Sequence, residues 1–460
     1  MSPKPSIPSQ PLEPAKQPKS GIAVRLLGIL LVLLPLWGAA GLVNQSISER
    51  EDLRTQAEKE ISEKWGNDQV LAGPLLVVPW DEISDVADVV NGKTIFRKTI
   101  HHHSATFLPE RFQATGSMRP EIRRRGIFET VLYVADLDLV GEFKRPDFAA
   151  LGIHPDAVHM EKALLSVGLS DTRGIVENPT LAWKGGERAF EPGPGDSSPF
   201  QHGFQARGLH LDGPGPLKFR FHLVLNGSRT LKLAPVARAT TVDLDSSWPD
   251  PSFCGGYLPL SRSVDTKGFK AHWQVLELAR DFPQAWTDQE IGSSNIEGAS
   301  FGVGLIRTAS TYQQSARATK YAILFLVLTF AAFFLFEARG GSRVHPIQYL
   351  LVGAALVVFY LLLLSLSEQV GFNAAYALAA GATLGLIWSY VRSVLRDPRR
   401  AGMLLAVLTG LYAYLFVILR LDDYALLMGS IGIFCAVAAL MWVTKGIDWY
   451  ALEADERKRP

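Results

Sequence analysis

The sequence predicts a membrane α-helical bundle joined to an all-β domain. Six transmembrane helices are arranged as one plus five, with a large antiparallel β-rich domain inserted between the first and the second. Three observations carry this prediction. Apolar runs at residues 22–43, 321–336, 346–366, 372–391, 402–419 and 424–443 approach or exceed the ~20 residues that a hydrocarbon core of ~30 Å demands. Between the first two runs the pattern shortens to alternating segments punctuated by Gly, Pro, Asn and Asp, which marks strands. Basic residues crowd the connections on one side of the membrane: Lys4, Lys16 and Lys19, then Arg339 and Arg343, then Arg392, Arg396, Arg399 and Arg400, then Lys445, Arg457, Lys458 and Arg459. The opposite short connections offer Arg420 alone, so both termini are expected in the cytoplasm and residues 44–320 on the other side.

In chain order, residues 1–21 read as a disordered cytoplasmic tail, because Pro-rich polar sequence buries too little apolar surface to fold. Residues 22–43 form the anchor, with Arg25 placed to snorkel at its cytoplasmic end. A cleaved signal peptide is the rival for this run, but the run exceeds the 7–15 residues of an ordinary apolar h-region. Residues 44–320 are the translocated domain. It opens on a stalk helix at about 46–65, where Leu53, Ala57, Ile61 and Trp65 fall four apart on a charged segment. Runs such as "RGIFETVLYVADLDLVGEF" and "LKFRFHLVLNGS" supply strands, and "LNGS" suggests a hairpin turn. The bundle fills 321–443 and a second cytoplasmic tail 444–460.

Composition excludes several functions. With 46 Lys and Arg against 45 Asp and Glu the charge is nearly balanced, which gives nucleic acid no basic surface. Of the two cysteines, Cys254 lies in the polar middle and Cys435 in an apolar run, so the topology puts them in different compartments where they cannot pair. No G-x-S-x-G, H-E-x-x-H or Walker-type motif occurs, no cofactor is expected, and the glycines of "EPGPGDSSP" and "LDGPGP" alternate with prolines as turns do. His101, His102 and His103 are read as solvated strand histidines rather than metal ligands, since two imidazoles on one strand face need partners to hold an ion. Arg123, Arg124 and Arg125 are read as a charged ladder that blocks sheet-edge pairing.

Two groups stand out in the membrane runs. Glu368 ends its helix on the translocated side, where the dipole disfavours an anion by about 0.3–1 kcal/mol, so it should be paired with a cation. Arg420 and Lys320 are the expected partners, in an interfacial ion pair that ties hairpins together; a ligand or proton role for Glu368 is the alternative. Ala377, Gly381 and Gly385 share one helix face and are expected to let neighbouring helices pack closely. Tyr349, Gly353, Leu356, Tyr360 and Ser367 form a second stripe that should face protein.

Several stretches together resemble the CreD family of bacterial inner-membrane proteins: "GPLLVVPW", "LPERFQATGSMRPEIRRRGIFETVLYVADLDLVGEF", "FCGGYLPLSRSVDTKGFKAHWQVLELARDFPQAW", "FGVGL", "RATKYAILFLVLTFAAFFLFE" and "HPIQYLLVGAALVVFYLLLLSLSEQVGFNAAY". The resemblance implies a periplasmic β domain and a role in cell envelope integrity, linked to a two-component system of envelope or carbon-source stress. It supplies no catalytic residues. "LIRTASTYQQ" departs from the family in lacking Pro-Val-Asp before the tyrosine, and so does the long Pro-rich start. The expected protein is non-enzymatic, in contact with the lipid bilayer and a periplasmic or inner-membrane protein partner. A transporter or lipid-handling protein and a membrane-bound periplasmic hydrolase are the alternatives.

Overall fold

The computed structural model describes residues 22–90, 93–288, 290–305, 311–340, 344–395, 398–421 and 424–445. Residues 1–21 and 446–460 of the expected tails, Arg343, Arg396 and residues 307–310 of the juxtamembrane turn lie outside the described residues. Two compact units result: Leu53–Thr308, and Met1–Asp52 together with Ala309–Pro460.

Among the described residues the first unit contains the end of helix α1 (Ile22–Trp65), the short helix α2 (Ser293–Gly298) and seventeen strands. These are β1 (Gln69–Val90), β2 (Lys93–Phe107), β3 (Arg111–Arg125), β4 (Phe128–Phe143), β5 (Leu164–Leu169), β6 (Thr180–Trp183), β7 (Gly186–Ala189), β8 (Glu191–Pro192) and β9 (Gly203–Ala206). Then come β10 (Leu217–Ser228), β11 (Thr230–Leu233), β12 (Ala239–Ser246), β13 (Pro251–Gly255), β14 (Ser261–Asp265), β15 (Gly268–Leu276), β16 (Ala285–Thr287) and β17 (Phe301–Leu305). One sheet runs β13-β17-β11-β1-β5-β9-β8, with β2 on β1 and β16 on β2; the other runs β14-β15-β12-β3-β4-β10-β6-β7.

Alternation explains why these segments pair face to face. In β10, Leu217, Phe219, Phe221, Leu223 and Leu225 are buried while Lys218, Arg220 and His222 are exposed, as a strand with one wet face requires. The buried faces meet in one core. Trp273 of β15 lies 5.8 Å from Phe253 of β13 and 5.8 Å from Phe301 of β17, and Phe221 of β10 lies 6.4 Å from Phe204 of β9.

The sheets are not purely antiparallel. β1 pairs with β11, and β3 with β12, in parallel register. Each pair is joined by a long crossover through other strands, and side-chain alternation carries no information about strand direction. "LNGS" is not a turn: Asn226 and Gly227 continue β10 and pair with Val134 and Tyr133. The glycine is there because a Cβ on Gly227 would meet the Tyr133 ring at 2.3 Å. The arginine ladder has a different job as well. Beyond Met118, β4 is the partner of β3 among the described strands, and the far end of β3 grips α1: Arg123 lies over Trp65 with 4.7 Å to the ring centre, and Arg125 pairs with Glu60.

The second unit holds the membrane part of α1 and the helices α3 (Thr311–Lys320), α4 (Ala322–Gly340), α5 (Pro346–Val370), α6 (Phe372–Leu395), α7 (Pro398–Arg420) and α8 (Ala425–Thr444). Among the described residues five helices are long and apolar enough to cross a membrane, or six if α3 and α4, bent by 44° at Tyr321, count as one span. The expected anchor and stalk are a single helix of 44 residues that continues through Pro35. α5 shows how sequence sets helix limits. Pro346 sits at its first turn, the His345 amide donates to Gln348 Oε1 at 2.9 Å, and the helix stops at Gly371, whose φ of 78° a side chain would resist.

Candidate functional site

The described structure gathers polar chemistry in two places, one in each unit. In the membrane unit the collecting point is Glu368, in the last turn of α5. Its side chain is 11% exposed, lies 3.6 Å from Arg50 Nε, and accepts a hydrogen bond of 3.0 Å from the Tyr312 hydroxyl. Arg50 is there because α1 does not stop at the end of its apolar run but carries on as helix beside the end of α5. Tyr312, itself buried, comes from the first turn of α3. A carboxylate at the unfavourable end of the α5 dipole is thus compensated by a guanidinium and a phenol from two other helices. Such an arrangement ties α1, α3 and α5 together at one level.

The expected partners of Glu368 are elsewhere. Arg420 lies over the Phe416 ring at 5.3 Å, and among the described residues neither it nor the exposed Lys320 reaches Glu368. The sequence reading separates an anchor ending at Val43 from a stalk helix at about 46–65; the structure joins them in one helix, which brings Arg50 to the end of α5. The small-residue stripe is also corrected. Ala377, Gly381 and Gly385 are exposed, and a Cβ on either glycine would meet nothing within 4 Å. α6 packs instead through the adjoining face of Ala375, Tyr376, Ala379, Thr383 and Ile387, all of them buried. The stripe on α5 does face protein, with Tyr349, Leu356, Tyr360 and Ser367 all buried. The sequence reading missed Glu337, which closes the apolar run of α4 and, at 6% exposure, accepts a 3.0 Å hydrogen bond from Tyr349.

Coupling between Arg50 and Glu368 is measurable. A double-mutant cycle of Arg50→Ala and Glu368→Gln, read as thermal stability of the full chain in nanodiscs, is expected to give about 1 kcal/mol of interaction. The same cycle with Arg420→Ala should give none, and equal coupling in the two cycles would restore the sequence-based pairing.

In the β unit the collecting point is the β1–β2 hairpin. Antiparallel register sets Asp81 opposite His102 and Trp80 opposite His103. Asp81 Oδ1 lies 2.6 Å from His102 Nδ1, and its Oδ2 lies 2.9 Å from His159 Nε2. Hydrogen bonding from His159, then from His102, holds the Asp81 carboxyl below its ordinary value. His103 stacks on Trp80 at 4.6 Å and stands 2.8 Å from Asp288 Oδ2 and 3.3 Å from Glu82 Oε2. His102, His103 and His159 are therefore each set against a carboxylate, while His101 Nε2 lies 2.9 Å from the Ser84 hydroxyl. A polar cavity of about 420 Å³ opens between Asp81, His102, His103, His159, Lys162 and Asp288. Among the described residues no three His, Cys, Asp or Glu side chains converge as metal ligands. What the cluster does is pin the segment carrying His159 to β1, helped by the His159 amide, which donates to the Pro79 carbonyl at 2.9 Å.

Comparison with known proteins adds a family. The family model described as "Inner membrane protein CreD" matches residues 21–450. A curated relative, the inner membrane protein CreD of Escherichia coli (strain K12), is 35% identical over 442 residues, which cover 94% of this chain and 93% of the relative.

Proposed function

Because the chain belongs to the CreD family of inner membrane proteins, and so is a multi-pass membrane protein of the cell envelope, we propose that it is a non-enzymatic holder of a periplasmic β domain that supports envelope integrity. In this reading both termini are cytoplasmic and the β unit reports envelope or carbon-source stress to a two-component system. A protein partner in the periplasm or inner membrane receives that signal.

The observation that carries the reading is the charge asymmetry of the connections. Arg392, Arg399 and Lys445 flank the cytoplasmic ends of α6, α7 and α8 in this arrangement, while the turn between α5 and α6 holds no Lys or Arg. The paired state of Glu368 adds support, since a carboxylate engaged by Arg50 and Tyr312 suits a joint between helices better than a mobile proton carrier.

Cysteine accessibility tests the topology. Burial pushes the Cys254 thiol up, which slows its reaction with a maleimide, so both native cysteines are replaced by serine and a reporter is placed at exposed Ser263 of β14. In intact spheroplasts a membrane-impermeant maleimide should label Ser263→Cys, and should label Lys445→Cys only after permeabilisation. The reverse pattern overturns the proposal. In cells lacking the chain, entry of a dye that an intact envelope excludes should rise, and the wild-type chain should reverse it.

A further inference from the structure

The outer face of the second sheet carries a concavity of about 760 Å³ that shares no lining residue with the histidine cluster. Its volume is that of an ordinary small-ligand site. Strand register explains its character. Lys218 of β10 stands opposite Glu142 of β4, which stands opposite Arg111 of β3. The Lys184 amide donates to the Lys218 carbonyl at 3.3 Å, so this second lysine extends the same row. In the next row outward, Arg220 faces Ala182 on one side and Val140 on the other, and Val140 faces Gln113, which faces Thr241. The lining therefore holds four cations against one carboxylate, beside a floor of small, uncharged and hydrogen-bonding side chains.

These cations are only partly neutralised. Arg111 is 81% exposed, with Glu142 as far as 3.8 Å away; Arg220 meets Asp138 at 3.2 Å; Lys218 has no ion pair among the described residues. Adjacent like charges on neighbouring strands are destabilising, and here Lys184 is set beside Lys218. Lys184 is also strained. It occupies the β6–β7 turn with a φ of 48°, a conformation that Asn, Asp or Gly adopts more readily, and its ammonium donates to the Asp212 carbonyl at the rim. A lysine at a strained turn position, next to another lysine on an exposed sheet face, fits a site where a bound anion supplies the countercharge.

We propose that this concavity binds a sugar phosphate: Lys184, Lys218, Arg111 and Arg220 take the phosphate, Gln113 and Thr241 take hydroxyls, and Val140 meets the sugar ring. Choosing a saccharide rests on the extracytoplasmic placement proposed above, whereas the anion preference does not. Calorimetry on the purified full chain in nanodiscs is independent of which side the β unit occupies in cells, so its failure and a failure of the topology are separate results. Glucose 1-phosphate should bind at least about tenfold more tightly than glucose or inorganic phosphate. The double variant Lys184→Glu, Lys218→Glu should weaken it by about tenfold or more, while Lys270→Glu, at an exposed position of β15, leaves it unchanged and reports on folding and bulk charge. Absence of binding at about 10 mM, equal binding of inorganic phosphate, or equal weakening by Lys270→Glu overturns the proposal.

Discussion

Gly353→Leu is expected to loosen the membrane unit more than any other glycine substitution in α5 or α6. A Cβ built at Gly353 lies 2.2 Å from Leu36 Cδ1 of α1 and 2.9 Å from Phe330 Cζ of α4, distances no real Cβ tolerates. Both neighbours are buried, so neither can swing away into lipid. The glycine is what lets α1 and α4 approach α5 closely, and in a bilayer this packing must carry the association, because lipid tails are as apolar as leucine. Overpacking there should cost about 1–3 kcal/mol, read as a lower melting temperature of the full chain in nanodiscs. Gly353→Ala should cost less, since one methyl group displaces far less than a leucine side chain. Leu36→Ala should recover part of the loss in the leucine variant. Gly381→Leu provides the contrast: with nothing within 4 Å of its Cβ, it should be close to neutral. If Gly381→Leu proves the more damaging of the two, α1 and α4 do not close on α5 at Gly353.

Trp273→Ala should have the largest effect in the β unit, about 3–5 kcal/mol. Trp273 is fully buried on β15, and its contacts with Phe253 and Phe301 bridge the two sheets. Removing the indole empties the seam where the sheets face each other. Among the described residues its Nε1 has no hydrogen-bond partner, so Trp273→Phe gives up area but also removes an unsatisfied polar group. That variant should cost well under half as much. Hydrogen exchange of the full chain gives the readout: Trp273→Ala should accelerate β13, β15 and β17 together, as one cooperative seam. Acceleration confined to β15 would falsify the bridging role.

Membership of a family and the division into spans and strands were legible without coordinates because each depends on local chemistry. A span must hide every backbone polar group from lipid, and this demands an unbroken apolar run such as that of α5. A half-wet strand must alternate, as β10 does. The candidate sites were less legible. Glu368 was recognisable as a carboxylate in need of a cation, yet the choice among Arg50, Arg420 and Lys320 depends on which helices are neighbours. His102 and His103 were visible as a run, but Asp288 lies 185 residues from His103, and His159 lies 78 from Asp81. Asn226 and Gly227 had the look of a turn because glycine is common in turns, whereas here the missing side chain makes room for the Tyr133 ring.

Sequence by itself determined where the chain can enter a bilayer, which segments can be strands, and which face of each is apolar, since those follow from one residue and its near neighbours in water or lipid. Only the tertiary structure decided that α1 runs on to bring Arg50 to Glu368, that β3 and β12 lie parallel, that the Ala377, Gly381 and Gly385 face is left bare, and that four cations share one sheet face. The physical reason is that partner choice is a long-range competition: many pairings satisfy the same local pattern, and close packing with matched register selects one.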